Sequence, residues 1–404
     1  MSDRRRARGI ALLPLDETEL DLGRLARLRR AIGAADCAAG VFVAPANIRY
    51  ATGTSNMQVY AGHNPCRYVF VPAEGPVVLF EFAGCAHIAE GRLAVDEVRP
   101  AISWYHFVAG PRVAEKAEAW AAELAELTLS HGGGNRRLAI DRVDPLGTWA
   151  LQRHGIEIQD GQAVANQAKK IKTAAEITAI RNAVAVCDEG LHRMRAALEP
   201  GITEQRLWSF LHQANAELGG EWIETRLLTS GPKTYPWYQE CGERLIEAGD
   251  MVSFDTDLVG AHGYSADISR SWLAGEGKAT ERQRRLYALA HERLYANIAL
   301  FRAGVTFREI AERAWEAPEP YGDTALPALA HGIGLVNEYP LLLSRRHWES
   351  HGYDGVVEDG MVLCVESYLA DKEGGEGVKL EQQILIGASG PEILSRYPME
   401  EALL

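Results

Sequence analysis

The stretch Phe254-Asp255-Thr256-Asp257-Leu258-Val259-Gly260 decides the fold of this chain. Its two acids stand among residues that are typical of a buried strand. A carboxylate in such a place is strongly unfavourable unless it is paired. Asp267 follows in a similar setting, Tyr264-Ser265-Ala266-Asp267-Ile268. We therefore expect these acids to face cations rather than an apolar core.

Three more residues of the same kind follow downstream, beside apolar, β-branched or Gly-rich neighbours. Five acids and one imidazole in one core would require cations between them. Two divalent ions would neutralise the group, and carboxylates with one imidazole suit Fe, Mn, Zn or Co. The expected metal ligands are Asp255, Asp257, Asp267, His331, Glu366 and Glu381. Asp255 and Asp257 would share one side of a strand, since residues i and i+2 point the same way.

The bulk composition describes a soluble globular protein. The chain has 404 residues, with 47% hydrophobic and 24% charged residues, so two domains are expected. A net charge of −13 argues against nucleic acid and anionic membranes as partners. The six cysteines are scattered, which favours reduced thiols in a cytoplasm.

No targeting or membrane segment is expected. The basic run Met1 to Arg8 precedes only a short apolar stretch, which is too short for a signal peptide. No apolar run is long enough to span a bilayer. We therefore predict a cytoplasmic protein.

Residues 1–165 alternate between helical and strand patterns, which predicts an α/β domain. Gly75-Pro76 supplies a turn and indicates a hairpin around it. The predicted helices are 20–35, 111–130 and 145–153, and the predicted strands are 41–43, 68–71, 77–80 and 137–141. The composition changes at Gln167, and we place a second domain at 166–404.

An internal repeat is visible in the second domain. A helical pattern ends at Gly201-Ile202-Thr203, and another ends at Gly304-Val305-Thr306, an offset of 103 residues. Each is followed by a further helical pattern, and Thr306 to Glu309 matches a capping box. The repeat indicates two similar α+β halves around a shared site.

The ordered ligands and their flanks resemble the pita-bread superfamily, which includes creatinase, prolidase, aminopeptidase P and methionine aminopeptidase. The resemblance covers nearly the whole chain. It implies a creatinase-type N-terminal α/β domain followed by a pita-bread catalytic domain. It also implies that Asp267 and Glu381 bridge two metal ions.

Three positions depart from the peptidase pattern. Trp237 stands where prolidase-like enzymes carry a histidine before the first metal-binding Asp. Asn337 stands in place of a second histidine, and Lys379 in place of an arginine. The two histidines position the scissile amide and stabilise its tetrahedral intermediate, so their loss weakens the case for amide hydrolysis.

The sequence is most similar to the metal-dependent dimethylsulfoniopropionate (DMSP) lyase branch of the superfamily. The similarity lies in the Asp255-Thr256-Asp257 doublet, the gap to Asp267 and the run Ala51 to Met57. It implies elimination of dimethyl sulfide from DMSP, which leaves acrylate. That reaction needs a base for a carbon-bound proton, and a metal ion that holds the substrate carboxylate and acidifies the proton.

Aromatic residues suit the cationic head of such a substrate. The expected substrate-binding residues are Trp237, Tyr235, Tyr238 and Lys379. Trp104, Tyr105 and Tyr60 are further candidates, although a core or interface role suits them better.

The base is left open. The lyase carries an aspartate, proposed as its base, at the position of Asn337, and an asparagine cannot accept a proton from carbon. The alternatives are Asp255, Glu338, His262 or a metal-bound hydroxide. The predicted catalytic set is Asn337, Trp237, Asp255 and Glu338.

Two other functions remain open. One is a metallohydrolase that cleaves a C–N bond, either Xaa-Pro dipeptidase-like or creatinase-like. The other is a non-catalytic binding protein, which the complete ligand set argues against. The resemblance also implies a homodimer in which the N-terminal domain of one subunit caps the site of the other.

Overall fold

The computed structural model describes residues 10–404, so the basic run Met1 to Arg8 lies outside the described residues. The chain folds as two units. The N-terminal unit is Leu15–Ala175, and the C-terminal unit is Glu176–Leu404 with residues 10–14. No helix among the described residues is long and apolar enough to cross a membrane.

The N-terminal unit contains seven labelled helices and six strands. The helices are α1 (Glu17–Ala34), α2 (Pro45–Thr52), α3 (Gln58–His63), α4 (His106–Ala109), α5 (Val113–His131), α6 (Pro145–Arg153) and α7 (Gly161–Lys169). The strands are β1 (Ala39–Phe42), β2 (Tyr68–Pro72), β3 (Val78–Glu81), β4 (Glu97–Pro100), β5 (Arg137–Ile140) and β6 (Glu157–Asp160).

The strands of the N-terminal unit form one mixed sheet in the order β4-β3-β2-β1-β5-β6. β2 and β3 pair antiparallel, which confirms the hairpin predicted around Gly75-Pro76. Asp16, Asp144 and Asp160 cap α1, α6 and α7 by accepting backbone N–H bonds. The α/β character predicted for this region is therefore observed.

The C-terminal unit is a mixture of long helices and antiparallel sheets. Its helices are α8 (Ala174–Ala197), α9 (Glu204–Glu217), α10 (Glu281–Ile298), α11 (Phe307–Arg313) and α12 (Arg345–His351). Its first strands are β7 (Trp222–Ile223), β8 (Leu228–Ser230), β9 (Met251–Phe254), β10 (Leu258–Val259), β11 (Ser265–Ala266) and β12 (Arg270–Leu273). Its last are β13 (Ala328–Ile333), β14 (Asn337–Leu343), β15 (Val362–Asp371), β16 (Glu376–Gly387) and β17 (Gly390–Ile393).

Three sheets carry these strands. Their orders are β11-β10-β7, β12-β9-β8 and β14-β13-β15-β16-β17. The long hairpin of β15 and β16 is almost wholly buried. Charged residues inside such a hairpin need partners, and the candidate site supplies them.

The internal repeat is visible in the structure as well as in the sequence. Thr203 caps α9, and Thr306 caps α11 in the predicted capping box with Glu309. Each threonine also forms an isolated antiparallel bridge, with Leu245 and Val356 respectively. The two halves thus repeat a helix, a capped turn and a second helix.

Candidate metal centre

Three of the six predicted ligands are fixed by neighbouring strands of one sheet. Glu366 on β15 and Glu381 on β16 are register partners in the antiparallel ladder. His331 on β13 pairs with Cys364, which lies two residues before Glu366 on the same face of β15. The ladder therefore brings an imidazole and two carboxylates together from distant parts of the chain.

The other three ligands lie just beyond strand ends, which corrects the expectation for the aspartate doublet. β9 ends at Phe254, where its pairing with both neighbouring strands also ends, and residues 255–257 form no strand. Asp257 has a φ of 37°, in the left-handed region that aspartate tolerates better than most residues. An irregular segment with a left-handed residue at Asp257, rather than strand alternation, thus carries Asp255 and Asp257.

The ligand atoms form two overlapping groups. One contains Asp267, His331, Cys364 and Glu381, and the other contains Asp255, Asp257 and Asp267, with all ligand atoms of a group within 4.8 Å of one another. Asp267 belongs to both groups. Nearly all of these side chains are buried, so the electrostatic interactions among them are weakly screened.

The distances among the ligand atoms are slightly longer than those around a bound ion. His331 Nε2 lies 3.6 Å from Asp267 Oδ2, 3.8 Å from Glu366 Oε1 and 3.6 Å from Glu381 Oε1. Two ligand atoms bound to one ion at about 2.1 Å each stand about 3.0–3.4 Å apart. Asp267 Oδ1 and Glu381 Oε1 are buried without a hydrogen-bond partner among the described residues. These oxygens require a partner, and the donor set suits a divalent metal ion.

The pKa values show how crowded the negative charge is. Burial and then the charge of Asp255 raise the pKa of Asp257 to about 6 and that of Glu381 to about 7. Burial, with Asp257 and Glu381 next in importance, raises the pKa of Asp267 well above its usual range. Carboxyl groups in this state bind protons unless metal ions replace them.

The pKa of His331 is lowered by burial and raised by the neighbouring carboxylates. Burial disfavours its charged form, but the close approach of Glu381 at 3.6 Å and the charge of Glu366 outweigh burial and raise its pKa to about 9. Without a metal ion the imidazole therefore carries a proton among the carboxylates. A metal ion at Nε2 would replace that proton.

Lys379 is fully buried inside the carboxylate cluster rather than in an open pocket. Its Nζ donates to Asp255 Oδ2 at 3.0 Å, to Glu381 Oε2 at 2.7 Å and to Ser269 Oγ at 3.0 Å. It also lies 3.1 Å from Glu366 Oε2. Burial opposes the charge on Lys379, but the neighbouring carboxylates raise its pKa well above the usual range.

Asp255 is the most firmly held of the acids. Its Oδ1 accepts from Ser269 Oγ at 2.8 Å, and its Oδ2 accepts from Lys379. Burial opposes its charge, yet Lys379 holds its pKa well below the usual value. Asp255 is therefore ionised and hydrogen-bonded at both oxygens.

Four residues support the ligands and were not singled out from the sequence. Ser269 bonds Asp255 and Glu381, Thr225 Oγ1 donates to Asp257 Oδ2 at 2.7 Å, and Gln383 Oε1 accepts from the Asp267 backbone at 3.2 Å. Cys364 is fully buried, and its Sγ contacts the Asp267 carbonyl at 3.7 Å. Only Cys364, Ser269 and Gln383 had a sequence signal, since each stands two residues from a predicted ligand.

The aromatic candidates divide into buried and exposed members. Trp237 is only 9% exposed and packs against Tyr368, with Tyr235 partly buried in the same cluster. Tyr238 is 70% exposed, with a positive φ of 67°. Desolvation and then the charge of Glu366 raise the pKa of the Tyr238 hydroxyl.

Trp104, Tyr105 and Tyr60 all belong to the N-terminal unit. Trp104 packs against the core residue Trp120 with ring centroids 5.2 Å apart. Tyr105 stacks with Phe107, and Tyr60 is 39% exposed.

Two of the remaining catalytic candidates begin β14, and the third follows β10. Asn337 is exposed at the start of β14 and is the register partner of Ile333. Glu338 is buried, and its Oε1 accepts from the Leu335 N–H at 3.1 Å, so it braces the turn after β13. His262 lies in a short turn after β10 with a φ of 61°.

Comparisons with known proteins agree with the fold. A DMSP lyase, DddP, of Roseovarius nubinhibens is 39% identical over 94% of this chain and 86% of its own length. An Xaa-Pro dipeptidase from Bacillus anthracis has a TM-score of 0.75 at 19% identity, covering 94% of this chain and 99% of that chain. The dipeptidase PepE of Mycobacterium ulcerans has the same TM-score at 22% identity, covering 96% and 98%.

These likenesses confirm the predicted pita-bread fold and the predicted superfamily. The model of metallopeptidase family M24 matches residues 178–388. The enzymes of this family use divalent metal ions, in agreement with the acidic and histidine residues that could bind metal in this chain. The chain belongs to metallopeptidase family M24.

Proposed function

We propose that this protein is a lyase that cleaves DMSP, or a related small onium carboxylate, into dimethyl sulfide and acrylate. The observation that carries the proposal is the 39% identity to a DMSP lyase across 94% of the chain. A similarity of this extent spans both units of the chain, whereas the peptidase structures are similar at only 18–22% identity.

The reaction requires two bonds to break, the C–H bond next to the carboxylate and the C–S bond to the leaving group. A base takes a proton from the carbon next to the substrate carboxylate. The electron pair of that C–H bond forms the C=C bond of acrylate, and the C–S bond breaks with its electrons on sulfur. When bound, two divalent ions at the six ligands would polarise the substrate carboxylate and so acidify this proton.

The native metal remains open among Fe, Mn, Zn and Co. The ligand set of oxygens with one imidazole nitrogen is compatible with all four. Cys364 adds a sulfur close to Asp267, His331 and Glu381, which would favour a softer ion such as Zn or Fe if the thiol took part.

We assign the contact with the cationic head to Tyr238. Trp237 is nearly buried, with Lys379 Nζ 5.9 Å from its ring centroid and Tyr368 packed 5.3 Å away. Its surroundings therefore leave little room for a substrate cation. Tyr238 stands next to it with ring centroids 6.3 Å apart and is open to solvent. An exposed aromatic ring beside a carboxylate cluster suits a sulfonium or ammonium group.

The identity of the base depends on Asn337. Asp255 is a poor candidate, because both of its oxygens are engaged and Lys379 holds its pKa low. Glu338 is occupied by the Leu335 N–H. Neither residue replaces an aspartate at position 337 well, so slow elimination is expected from the natural protein.

The decisive experiment is headspace gas chromatography for dimethyl sulfide after DMSP is added to metal-reconstituted protein. Glu381→Ala serves as the blank, since it removes a carboxylate from the centre of the cluster. Dimethyl sulfide from the natural protein alone would support the lyase. If two metal ions are bound and no dimethyl sulfide forms, the lyase proposal fails.

A second candidate is hydrolysis of a C–N bond in a small onium or guanidinium substrate. The observation that favours it is the amide of Asn337, which can hold a polar substrate group but cannot take a proton from carbon. Trp237 and Asn337 argue against a dipeptide substrate. Product analysis with DMSP, a creatine-like amidine and an Xaa-Pro dipeptide would distinguish the candidates.

We also propose that the protein is a cytoplasmic homodimer. All six cysteines are free thiols, as is usual in a reducing compartment. The net charge of −13 disfavours nucleic acid and anionic membranes as partners. Light scattering during gel filtration would test the dimer, and a monomer at micromolar concentration would contradict it.

A further inference from the structure

Two of the positions that depart from the peptidase pattern meet in space. Trp237 and Lys379 are far apart in sequence, yet Lys379 Nζ lies 5.9 Å from the centroid of the Trp237 ring. Lys379 is fully buried, and Trp237 is 9% exposed. The tryptophan thus lies close to an ammonium group that would otherwise be nearer to solvent.

The ammonium group engages one oxygen from each of three ligands. These oxygens are Asp255 Oδ2, Glu366 Oε2 and Glu381 Oε2, at 2.7–3.1 Å. The opposite oxygens of the two glutamates, Oε1, are the ones that lie 3.6–3.8 Å from His331 Nε2. Lys379 therefore binds the Oε2 atom of each glutamate and leaves the Oε1 atom available for a metal ion.

The charge of the cluster makes this cation necessary. Five carboxylates carry five negative charges, and two divalent ions with one ammonium carry five positive charges. When the metal ions are absent, Lys379 is the buried cation with direct contacts to Asp255, Glu366 and Glu381 that remains regardless of the protonation of His331. A buried carboxylate that loses such a partner is strongly destabilised.

Trp237 strengthens this arrangement by excluding water. Its ring packs against Tyr368 and belongs to an apolar cluster with Leu326 and Ala370. Ion pairs and hydrogen bonds are stronger where water is excluded, and a ring face also attracts an ammonium directly. Lys379 acts on the carboxylates directly, and Trp237 acts on them through Lys379.

We propose that Lys379 and Trp237 form one positioning unit that keeps the metal site assembled when no metal is bound. Lys379 supplies an internal counter-charge and fixes which oxygens face the ions, and Trp237 shields it. The inference rests on the metal site of the proposed function but not on DMSP as substrate. Its failure and the failure of the lyase are therefore measured separately.

The arrangement also explains why arginine would not be equivalent at position 379. A lysine ammonium is a compact charge whose three donors can point to Asp255, Glu381 and Ser269 while the charge stays close to Glu366. An arginine fork is planar and larger, and Trp237 already fills the space beside Nζ. Lys379 and Trp237, which both depart from the peptidase pattern, are thus complementary in size.

The test compares thermal unfolding of metal-free and Mn²⁺-loaded protein. Lys379→Met keeps the length of the side chain and removes its charge. We expect the metal-free variant to melt about 5 °C or more below the natural protein, and Mn²⁺ to raise its midpoint by a correspondingly larger increment. Equal midpoints for the metal-free variant and the natural protein would overturn the proposal.

A double-mutant cycle tests whether the two residues act as a unit. Trp237→Phe alone should lower the metal-free midpoint, and it should lower it much less in the Lys379→Met background. Effects that simply add would overturn the coupling. Arg308 on α11 and Trp348 on α12 provide the matched control cycle, in which the Mn²⁺ increment should not change, because this cation–ring pair at 5.2 Å lies on helices that carry no predicted ligand.

A rescue variant covers the case in which Lys379→Met does not fold without metal. Glu366→Gln in the Lys379→Met background removes one of the uncompensated charges, so the metal-free double variant should regain a cooperative transition by circular dichroism. Failure of both Mn²⁺ and Glu366→Gln to restore folding would mean that Lys379 acts by packing alone and would overturn the proposal.

Discussion

Glu366 and Glu381 are register partners on adjacent antiparallel strands, and each presents one oxygen to His331 and the other to Lys379. The backbone ladder therefore fixes the spacing of two carboxylates, and an imidazole and an ammonium divide their oxygens. A pair held in this way can bind an ion without reorganisation, which reduces the entropic cost of binding.

Glu381→Gln should lose metal binding with little change in shape. The amide cannot supply a second anionic oxygen to the cluster, so we expect bound metal per chain, measured by inductively coupled plasma mass spectrometry, to fall to about half or less. Glu373→Gln, an exposed change near the start of the same strand, is the control. Full metal content in Glu381→Gln would contradict the assignment.

Metal-free protein should become less stable as the pH rises. The pKa values of Asp257 and Glu381, about 6 and about 7, lie above those of the unfolded chain, so the native state binds more protons. The contribution of these two groups to the free energy of unfolding is then greatest below pH of about 4 and falls as the pH rises through 6 and 7.

Metal ions replace these protons, so the gap between metal-loaded and metal-free melting temperatures should widen between about pH 5.5 and about pH 8. Calorimetry in buffers of different ionisation enthalpy should also show more protons released by Mn²⁺ near pH 6 than near pH 8. A gap that narrows with rising pH would contradict this electrostatic picture.

Thr225→Val should weaken metal binding specifically at the aspartate group. The change keeps the shape but removes the hydrogen bond to Asp257 Oδ2, so we expect about threefold to tenfold weaker Mn²⁺ binding. Thr229→Val is the matched control, because the buried Thr229 hydroxyl has no partner among the described residues. Identical Mn²⁺ affinities for the two variants would argue against a role for Thr225.

Asn337→Asp should raise the rate of dimethyl sulfide formation. It places a carboxylate where the resemblance to the lyase expects a base, and a positioned base contributes about a hundredfold or more. Asn337→Ala separates the gain of a base from the loss of the amide. If the aspartate variant is no faster than the natural protein, the proton is removed by another group.

Tyr238→Ala should raise KM for DMSP more than it lowers kcat. The ring is exposed, and we propose that it contacts the substrate head rather than the reacting carbon, so its loss should remove binding energy of roughly 1 kcal/mol, or about fivefold in KM. Tyr238→Phe should retain most of the affinity. A fall in kcat alone would place Tyr238 at the reacting atoms instead.

The sequence predicted elements well where local signals were strong. The helix at residues 145–153 has a capping aspartate and a proline in its first turn, and its observed bounds, Pro145–Arg153, are those expected. The strands around Gly75-Pro76 follow from alternation and turn chemistry. The metal ligands could be proposed because buried acids require cations.

Features that depend on tertiary contacts could not be predicted. The left-handed backbone at Asp257 follows the end of the pairing of β9 and has no local signal in the sequence. Lys379 and Asp255 are 124 residues apart, so their bond follows from the sheet arrangement alone. The expectation that Lys379 binds substrate was based on its position in a motif, which does not report the carboxylates around it.

The repeat marked by Thr203 and Thr306 has a consequence for how the enzyme is built. Asp255, Asp257 and Asp267 come from the first half of the repeat, and the other three ligands come from the second half. Bound ions would therefore connect the two halves of the repeat, and neither half would have a complete site by itself. Loss of metal then weakens the whole catalytic unit rather than one pocket, which links folding and activity in a single event.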